Sequence, residues 1–200
     1  MKVVKEYLDR NGDVAYEGHI YDVPEQVDLI TKIIESSKLK KVLQIGFNVG
    51  HSAELFLSKT KASVTSFELN SNVFISDLCV LLNKSYKRRH KIIYGNSRLT
   101  LPVYILDNPK SKFDLIFIDG GHDLKTVSSD IENCFKLSHS KTIIIIDDVV
   151  REDCGASWVA GPTSAWGQAL KDNKVFETGY VCFKNYLGRG MVWGKYNLGA

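Results

Sequence analysis

The amino-acid sequence predicts an α/β domain: a mostly parallel sheet of seven strands, helices on both faces and an antiparallel strand pair at the C-terminal end. Three observations carry this. Short runs such as Leu115-Ile-Phe-Ile118 and Thr142-Ile-Ile-Ile-Ile146 have the length and uniform apolarity of strands buried on both faces. Stretches of helical period separate these runs, the pattern of right-handed βαβ crossovers. Beyond Val149 the alternation stops, and two extended segments joined by a glycine turn follow.

Residues 1–22 read as an N-terminal extension packed near the site mouth, with Asn11-Gly12 marking a turn. Pro24 opens a helix whose Val27, Ile30, Ile33 and Ile34 form one apolar stripe. Lys41–Ile45 is the first strand and runs into Gly46-Phe-Asn-Val-Gly50, followed by a helix over Ser52–Ser58. The second strand, Ser63–Phe67, ends at Glu68, and a helix spans Val73–Asn83. Lys91–Tyr94 is the third strand, ending at Gly95-Asn96-Ser97, with a short helix over Leu99–Leu106.

Phe113–Ile118 ends in Asp119-Gly-Gly-His122, and Asp123 is placed to cap a helix over 124–137. Thr142–Ile146 ends in Asp147-Asp148. Gly155, Gly161-Pro162 and Gly167 then punctuate a predicted loop able to close over the site. Lys174–Phe183 and Met191–Tyr196 form the antiparallel pair around Leu187-Gly-Arg-Gly190.

A chain of 200 residues, 44% of them hydrophobic, can bury one core, and no repeat or linker divides it. It reads as a single domain with a central unit at 24–150 and an acceptor-side loop and antiparallel tail at 151–200. A net charge of +3 is too small to imply nucleic acid as a partner. No apolar run is long enough for a membrane span, and the charged N-terminus argues against export. Cys79, Cys134, Cys154 and Cys182 are scattered without a C-x-x-C pair, which disfavours zinc and disulfides and fits a reducing cytoplasm. The sequence leaves a homodimer open.

Carboxylates and a histidine at strand ends lie where open α/β sheets bind ligands. Gly46-x-x-x-Gly50 lets backbone approach a ligand closely, although the same turn serves as a plain βα connection. Glu68, at the end of the next strand, can accept bonds from ribose hydroxyls; its alternative is a solvated strand-end acid. G-x-G-x-x-G and the P-loop pattern are absent, so a nucleoside without phosphates fits better than a dinucleotide or nucleoside triphosphate. Asn96-Ser97 can meet its adenine or serve only as turn residues.

Together, Gln44-Ile-Gly-Phe-Asn-Val-Gly50, Glu68, Gly95-Asn96-Ser97, Asp119-Gly-Gly-His122 and Asp147-Asp148 resemble the class I S-adenosylmethionine-dependent methyltransferases of Rossmann-like fold. Within them the chain is most similar to small metal-dependent O-methyltransferases of sugar and catechol type. The resemblance covers residues 25–150. It implies that Gln44, Gly46, Asn48, Gly50, Ser52, Glu68, Leu69, Asn96, Ser97 and Asp119 form the S-adenosylmethionine site. Gln44 departs from the family, which usually carries an acid there.

Methyl transfer to an aliphatic hydroxyl requires loss of a proton as the bond forms, which a divalent cation and a base assist. Asp119 and Asp147-Asp148 end consecutive strands, and adjacent strands lie about 5 Å apart, within reach of one ion. An all-oxygen set suits Mg²⁺, Mn²⁺ or Ca²⁺. The resemblance implies metal ligands at Asp119, Asp147 and Asp148 and a general base at His122, for which a pKa near the ordinary value would serve. Helix capping and loop bonding are the structural alternatives for these acids, and a structural or cofactor-contacting role is that for His122.

The reading is an S-adenosylmethionine-dependent O-methyltransferase acting with a divalent metal on a hydroxyl of a small molecule, a sugar above others. A metal-independent methyltransferase of RNA or protein and a non-catalytic cofactor-binding module are the alternatives. The basic run Lys84–Lys91 reads as a solvated face, or as a patch for RNA or an acidic glycan. Trp158, Trp166 and Trp193 are candidates for the acceptor pocket or for core.

Overall fold

A computed structural model describes residues 2–11, 19–71 and 73–199. The predicted turn at Asn11-Gly12 extends outside them. Among the described residues the helices are α1 (Val3–Asn11), α2 (Pro24–Glu35), α3 (His51–Lys59), α4 (Val73–Ser85), α5 (Ser97–Asp107), α6 (Leu124–Lys136) and α7 (Ala160–Lys171). The strands are β1 (Lys41–Ile45), β2 (Ser63–Glu68), β3 (His90–Tyr94), β4 (Leu115–Ile118), β5 (Ile143–Asp147), β6 (Val175–Cys182) and β7 (Gly190–Tyr196). They form one sheet in the order β3-β2-β1-β4-β5-β7-β6. The first five are parallel, and β7 runs antiparallel to both neighbours. No helix among the described residues is long and apolar enough to cross a membrane.

Alternation along the strands divides the core between the two faces. Val42, Leu115, Phe117 and Ile145 pack with Ile30, Ile34, Leu55, Phe56 and Leu78 from α2, α3 and α4. Leu43, Ile116, Ile118 and Ile144 pack with Leu101, Ile131 and Trp166 from α5, α6 and α7. The chain winds outward through β1, β2 and β3, then returns to lay β4 beside β1. That reversal opens a crevice beyond the carboxyl ends of β1 and β4.

Two segments differ from the sequence reading. The extension contains α1, whose polar sequence buries Val4 alone. Its first turn is held from outside: the buried Glu54 carboxylate accepts the N–H groups of Lys2 and Val3 at 2.9 Å and of Val4 at 3.0 Å. Residues 157–171, read as a loop, form a short 3₁₀ turn and α7. Pro162 is tolerated because it lies in the first helical turn. Gly161 is required by contact: a Cβ there would lie 2.0 Å from the carbonyl oxygen of His122.

Candidate active site

The crevice is a cavity of about 1300 Å³, larger than the roughly 300–1,000 Å³ of a single small-molecule site. It can hold two reactants side by side. Gly46 forms its hinge at the switch point. With φ +87° and a virtual Cβ 1.8 Å from the Asp119 carbonyl oxygen, only glycine lets the ends of β1 and β4 come this close. Gly50, at φ +83°, precedes α3 and leaves room for the Phe47 ring.

Glu68 fastens this turn from the end of β2. Its Oε2 accepts the N–H groups of Phe47 at 2.8 Å and Asn48 at 2.9 Å, and its Oε1 accepts that of Asn70 at 2.8 Å. A carboxylate has about four acceptor positions, so capacity for a ligand hydroxyl is left. Gln44 lies beneath the turn, fully buried and outside the cavity wall. It donates from Nε2 to the Gly46 carbonyl at 2.8 Å and braces the loop. Asn48, Ser52, Glu68, Leu69, Asn96, Ser97 and Asp119, all singled out from the sequence, do line the cavity; Gly50 does not.

At the other end, Asp119, His122 and Asp148 come together, with one ligand atom from each lying within 4.8 Å of the others. Asp147 is not among them. It is the last residue of β5, and strand alternation turns its side chain toward α2, where Oδ1 accepts from Gln26 Nε2 at 2.7 Å. Asp148, just past the strand, adopts a left-handed backbone (φ +56°) and places Oδ2 2.9 Å from His122 Nε2. The two adjacent acids therefore pair with different neighbours through one oxygen each, Asp147 with Gln26 and Asp148 with His122.

Electrostatics sharpen the picture. Burial, then the neighbouring Asp147 and Asp148, push the Asp119 carboxyl well above the usual range. Burial and Asp148 also raise Asp147. The hydrogen bond to Asp148 raises His122 above its ordinary value, so the unperturbed pKa read from the sequence does not hold.

Opposing these acids is Arg189, nearly buried in the β6–β7 turn. Its guanidinium lies 3.7 Å from Asp147 Oδ2 and 3.6 Å from Asp148 Oδ1, and Nη2 donates to Gln26 Oε1 at 2.9 Å. Sequence reasoning missed Gln26 and Arg189, because nothing in linear spacing links positions 26, 147 and 189.

Other readings resolve individually. His51 lines the cavity edge, as expected for the first turn of α3; burial, then His19 at a ring distance of 4.4 Å, lowers its pKa to about 4. His19, given no role from sequence, lines the same wall. Trp158 lines the cavity and is 40% exposed, whereas Trp166 is core. Within the basic run Arg89 is committed internally, donating to the carbonyls of Leu57, Thr60 and Ala62 at the end of α3.

Residues 43–149 match the family described as a methyltransferase domain. Solved structures share the fold. The O-methyltransferase TomG of Streptomyces achromogenes, in complex with SAM, aligns with a TM-score of 0.76 at 16% identity over 98% of this chain and 90% of that one. An O-methyltransferase from Bacillus cereus in complex with SAH gives 0.70 at 18% identity, over 96% and 90%. CalS11, a TDP-rhamnose 3'-O-methyltransferase of calicheamicin biosynthesis, gives 0.64 at 12% identity, over 99% and 94%. No curated protein matches the chain in sequence. A match over more than half the chain, on the sheet order and switch-point cavity just described, identifies it as a member of the methyltransferase-domain family, among the class I S-adenosylmethionine-dependent methyltransferases.

Proposed function

We propose that the protein is a single-domain O-methyltransferase that moves the methyl group of S-adenosylmethionine to a hydroxyl of a small molecule, a sugar above others. The observation that carries this reading is the Asp119–His122–Asp148 constellation in the same cavity as the Gly46 turn. The turn, Glu68, Leu69, Asn96 and Ser97 would hold the donor, and the cluster would receive the acceptor hydroxyl. Trp158 offers an exposed aromatic face suited to a sugar ring. The action of the similar CalS11 on TDP-rhamnose supports a sugar acceptor. Four free thiols suit a reducing compartment.

His122 is read as the general base. Asp148 fixes its ring through Nε2 and stabilises the imidazolium formed when the hydroxyl proton is taken up. The hydroxyl oxygen attacks the sulfonium methyl in line, the carbon–sulfur bond breaks, and S-adenosylhomocysteine leaves with the electron pair on sulfur.

The acids also fit a divalent cation. Asp148 Oδ1 is buried without a hydrogen-bond partner, and Asp119 is disfavoured as a lone anion by burial and then by Asp147 and Asp148. Asp119 and Asp148 would hold Mg²⁺ or a similar ion, with His122 in reach as a third donor; Asp147, whose Oδ1 accepts from Gln26, lies outside that trio. Such an ion, when bound, stabilises a developing oxyanion.

Arg189 favours a second reading, in which its guanidinium compensates the acids and the His122–Asp148 pair works without metal. Turnover of a panel of sugars and catechols, measured after chelation and again with Mg²⁺ restored, tests both. Loss and recovery support the metal, and unchanged turnover supports the pair alone. Failure to bind S-adenosylmethionine at all would defeat the proposal.

A further inference from the structure

Gln26 lies behind the site rather than in it. It is wholly buried on α2, outside the cavity wall that Asp148 and Arg189 line. Its amide is used at both ends: Nε2 donates to Asp147 Oδ1 at 2.7 Å, and Oε1 accepts from Arg189 Nη2 at 2.9 Å. The charged groups themselves stand farther apart. Arg189 is 3.7 Å from Asp147 Oδ2 and 3.6 Å from Asp148 Oδ1, beyond the roughly 2.7–2.9 Å of a charge-assisted hydrogen bond.

Two buried acceptors are left over. Asp147 Oδ2 and Asp148 Oδ1 have no hydrogen-bond partner among the described residues, although a guanidinium lies just out of bonding distance of each. Such groups are costly and call for a reason. Direct contact would satisfy them, since the arginine fork matches carboxylate geometry. The neutral amide of Gln26 takes Nη2 instead.

We infer that Gln26 is a positioning residue of the reaction site: it holds Arg189 back from the acids, so that Asp148 bonds His122 with one oxygen and keeps the other unclaimed. This rests on the reading of His122 and Asp148 as the reacting end of the cavity. At 3.6 Å the positive charge still offsets the buried anions, because Coulomb attraction falls only as the inverse of distance. What the spacing withholds is the hydrogen bond, which is short-ranged and directional. Arg189 therefore compensates charge without taking the lone pairs of Asp148. Without the amide, Nη2 loses that acceptor and the guanidinium moves onto the carboxylates. Asp148 is then divided between Arg189 and His122, and the imidazolium formed during transfer is less well stabilised.

A crystal structure of Gln26→Leu, with steady-state kinetics, tests this. The acceptor probe is the member of the sugar and catechol panel that the wild type turns over fastest. In Gln26→Leu the guanidinium is expected within about 3 Å of Asp148. Its kcat falls roughly tenfold, equivalent to one charge-assisted hydrogen bond diverted. S-adenosylhomocysteine still binds as tightly as to the wild type in calorimetry. In an Arg189→Met background no guanidinium is left to close, so adding Gln26→Leu leaves kcat where Arg189→Met alone sets it. Equal slowing in both backgrounds would make Gln26 merely structural and overturn the inference. So would a guanidinium that stays back, or an unchanged kcat. Should Gln26→Leu fail to fold, Gln26→Asn, which keeps an amide too short to span both partners, takes its place with the same outcomes. If the wild type turns over no member of the panel, the functional reading falls, and the guanidinium's position in the variant alone decides whether Gln26 holds it back.

Discussion

His122 Nε2 stands 2.9 Å from Asp148 Oδ2, and the two residues come from different strand ends that the parallel sheet sets side by side. The bond raises the imidazole above its ordinary pKa, with Asp148 the largest cause. A base must be neutral to accept a proton. The acid limb of the kcat profile therefore lies above pH 6.5, with activity rising as pH rises through it. Asp148→Asn moves that limb down and lowers the plateau. His122→Ala lowers kcat by about 10²–10⁴-fold, while calorimetry finds donor affinity little changed.

Gly46→Ala should abolish donor binding. The added Cβ would meet the Asp119 carbonyl oxygen at 1.8 Å in a backbone of φ +87°, and β4 cannot retreat without losing its pairing with β1. Strain of this kind costs about 1–3 kcal/mol before the clash is counted. A lowered Tm together with loss of calorimetric heat would confirm it; a variant that binds normally would refute the close approach.

Glu54→Gln tests the anchoring of α1. Three amides and the Tyr86 hydroxyl, at 2.8 Å, converge on this one carboxylate. Removing its charge weakens bonds worth about 1.5–3 kcal/mol each with a charged partner. Hydrogen exchange should quicken across Val3–Asn11 and leave β1 and β4 unchanged. Uniform quickening would mean that α1 is integral to the core.

His90 makes the fold sensitive to acid. It is buried, its Nε2 lies 2.8 Å from Ser66 Oγ, its ring stacks on Phe47, and burial lowers its pKa to about 4. The folded state therefore holds it neutral while the unfolded chain protonates near 6.5. Its contribution is full above pH 6.5 and is lost as pH falls toward 4. The shift amounts to on the order of 3 kcal/mol. Urea unfolding at pH 7 and pH 4.5 should show the loss, and His90→Gln should diminish it.

What could be read from the sequence follows from range. The strands, the Gly46 turn, Glu68 and the strand-end acids are local signals, each written within a few residues. The Asp123 cap likewise appears as expected, with Oδ1 accepting from Thr126 N–H at 2.9 Å. The division of Asp147 from Asp148 was in principle legible, because a side chain still within β5 must alternate while the next need not. Glu54 reaching Lys2, and Gln26 joining Asp147 to Arg189, connect residues 50 or more positions apart. α7 was hidden because its glycines resemble a loop, although Gly161 serves a contact with His122.

Arg189 provides the last test, because it and a cation would answer the same need. Its guanidinium is the positive group beside Asp147 and Asp148, all three nearly out of water. Arg189→Met keeps the stem and removes the charge, leaving buried anions uncompensated. Breaking such a pair costs about 3–5 kcal/mol, so the metal-free variant should melt well below wild type. If Asp119 and Asp148 form a cation site, Mg²⁺ then restores part of the lost Tm, and by mass action restores more as its concentration rises. The wild type, already compensated, gains less. A variant destabilised yet indifferent to Mg²⁺ would mean that arginine is the only cation this cluster accepts.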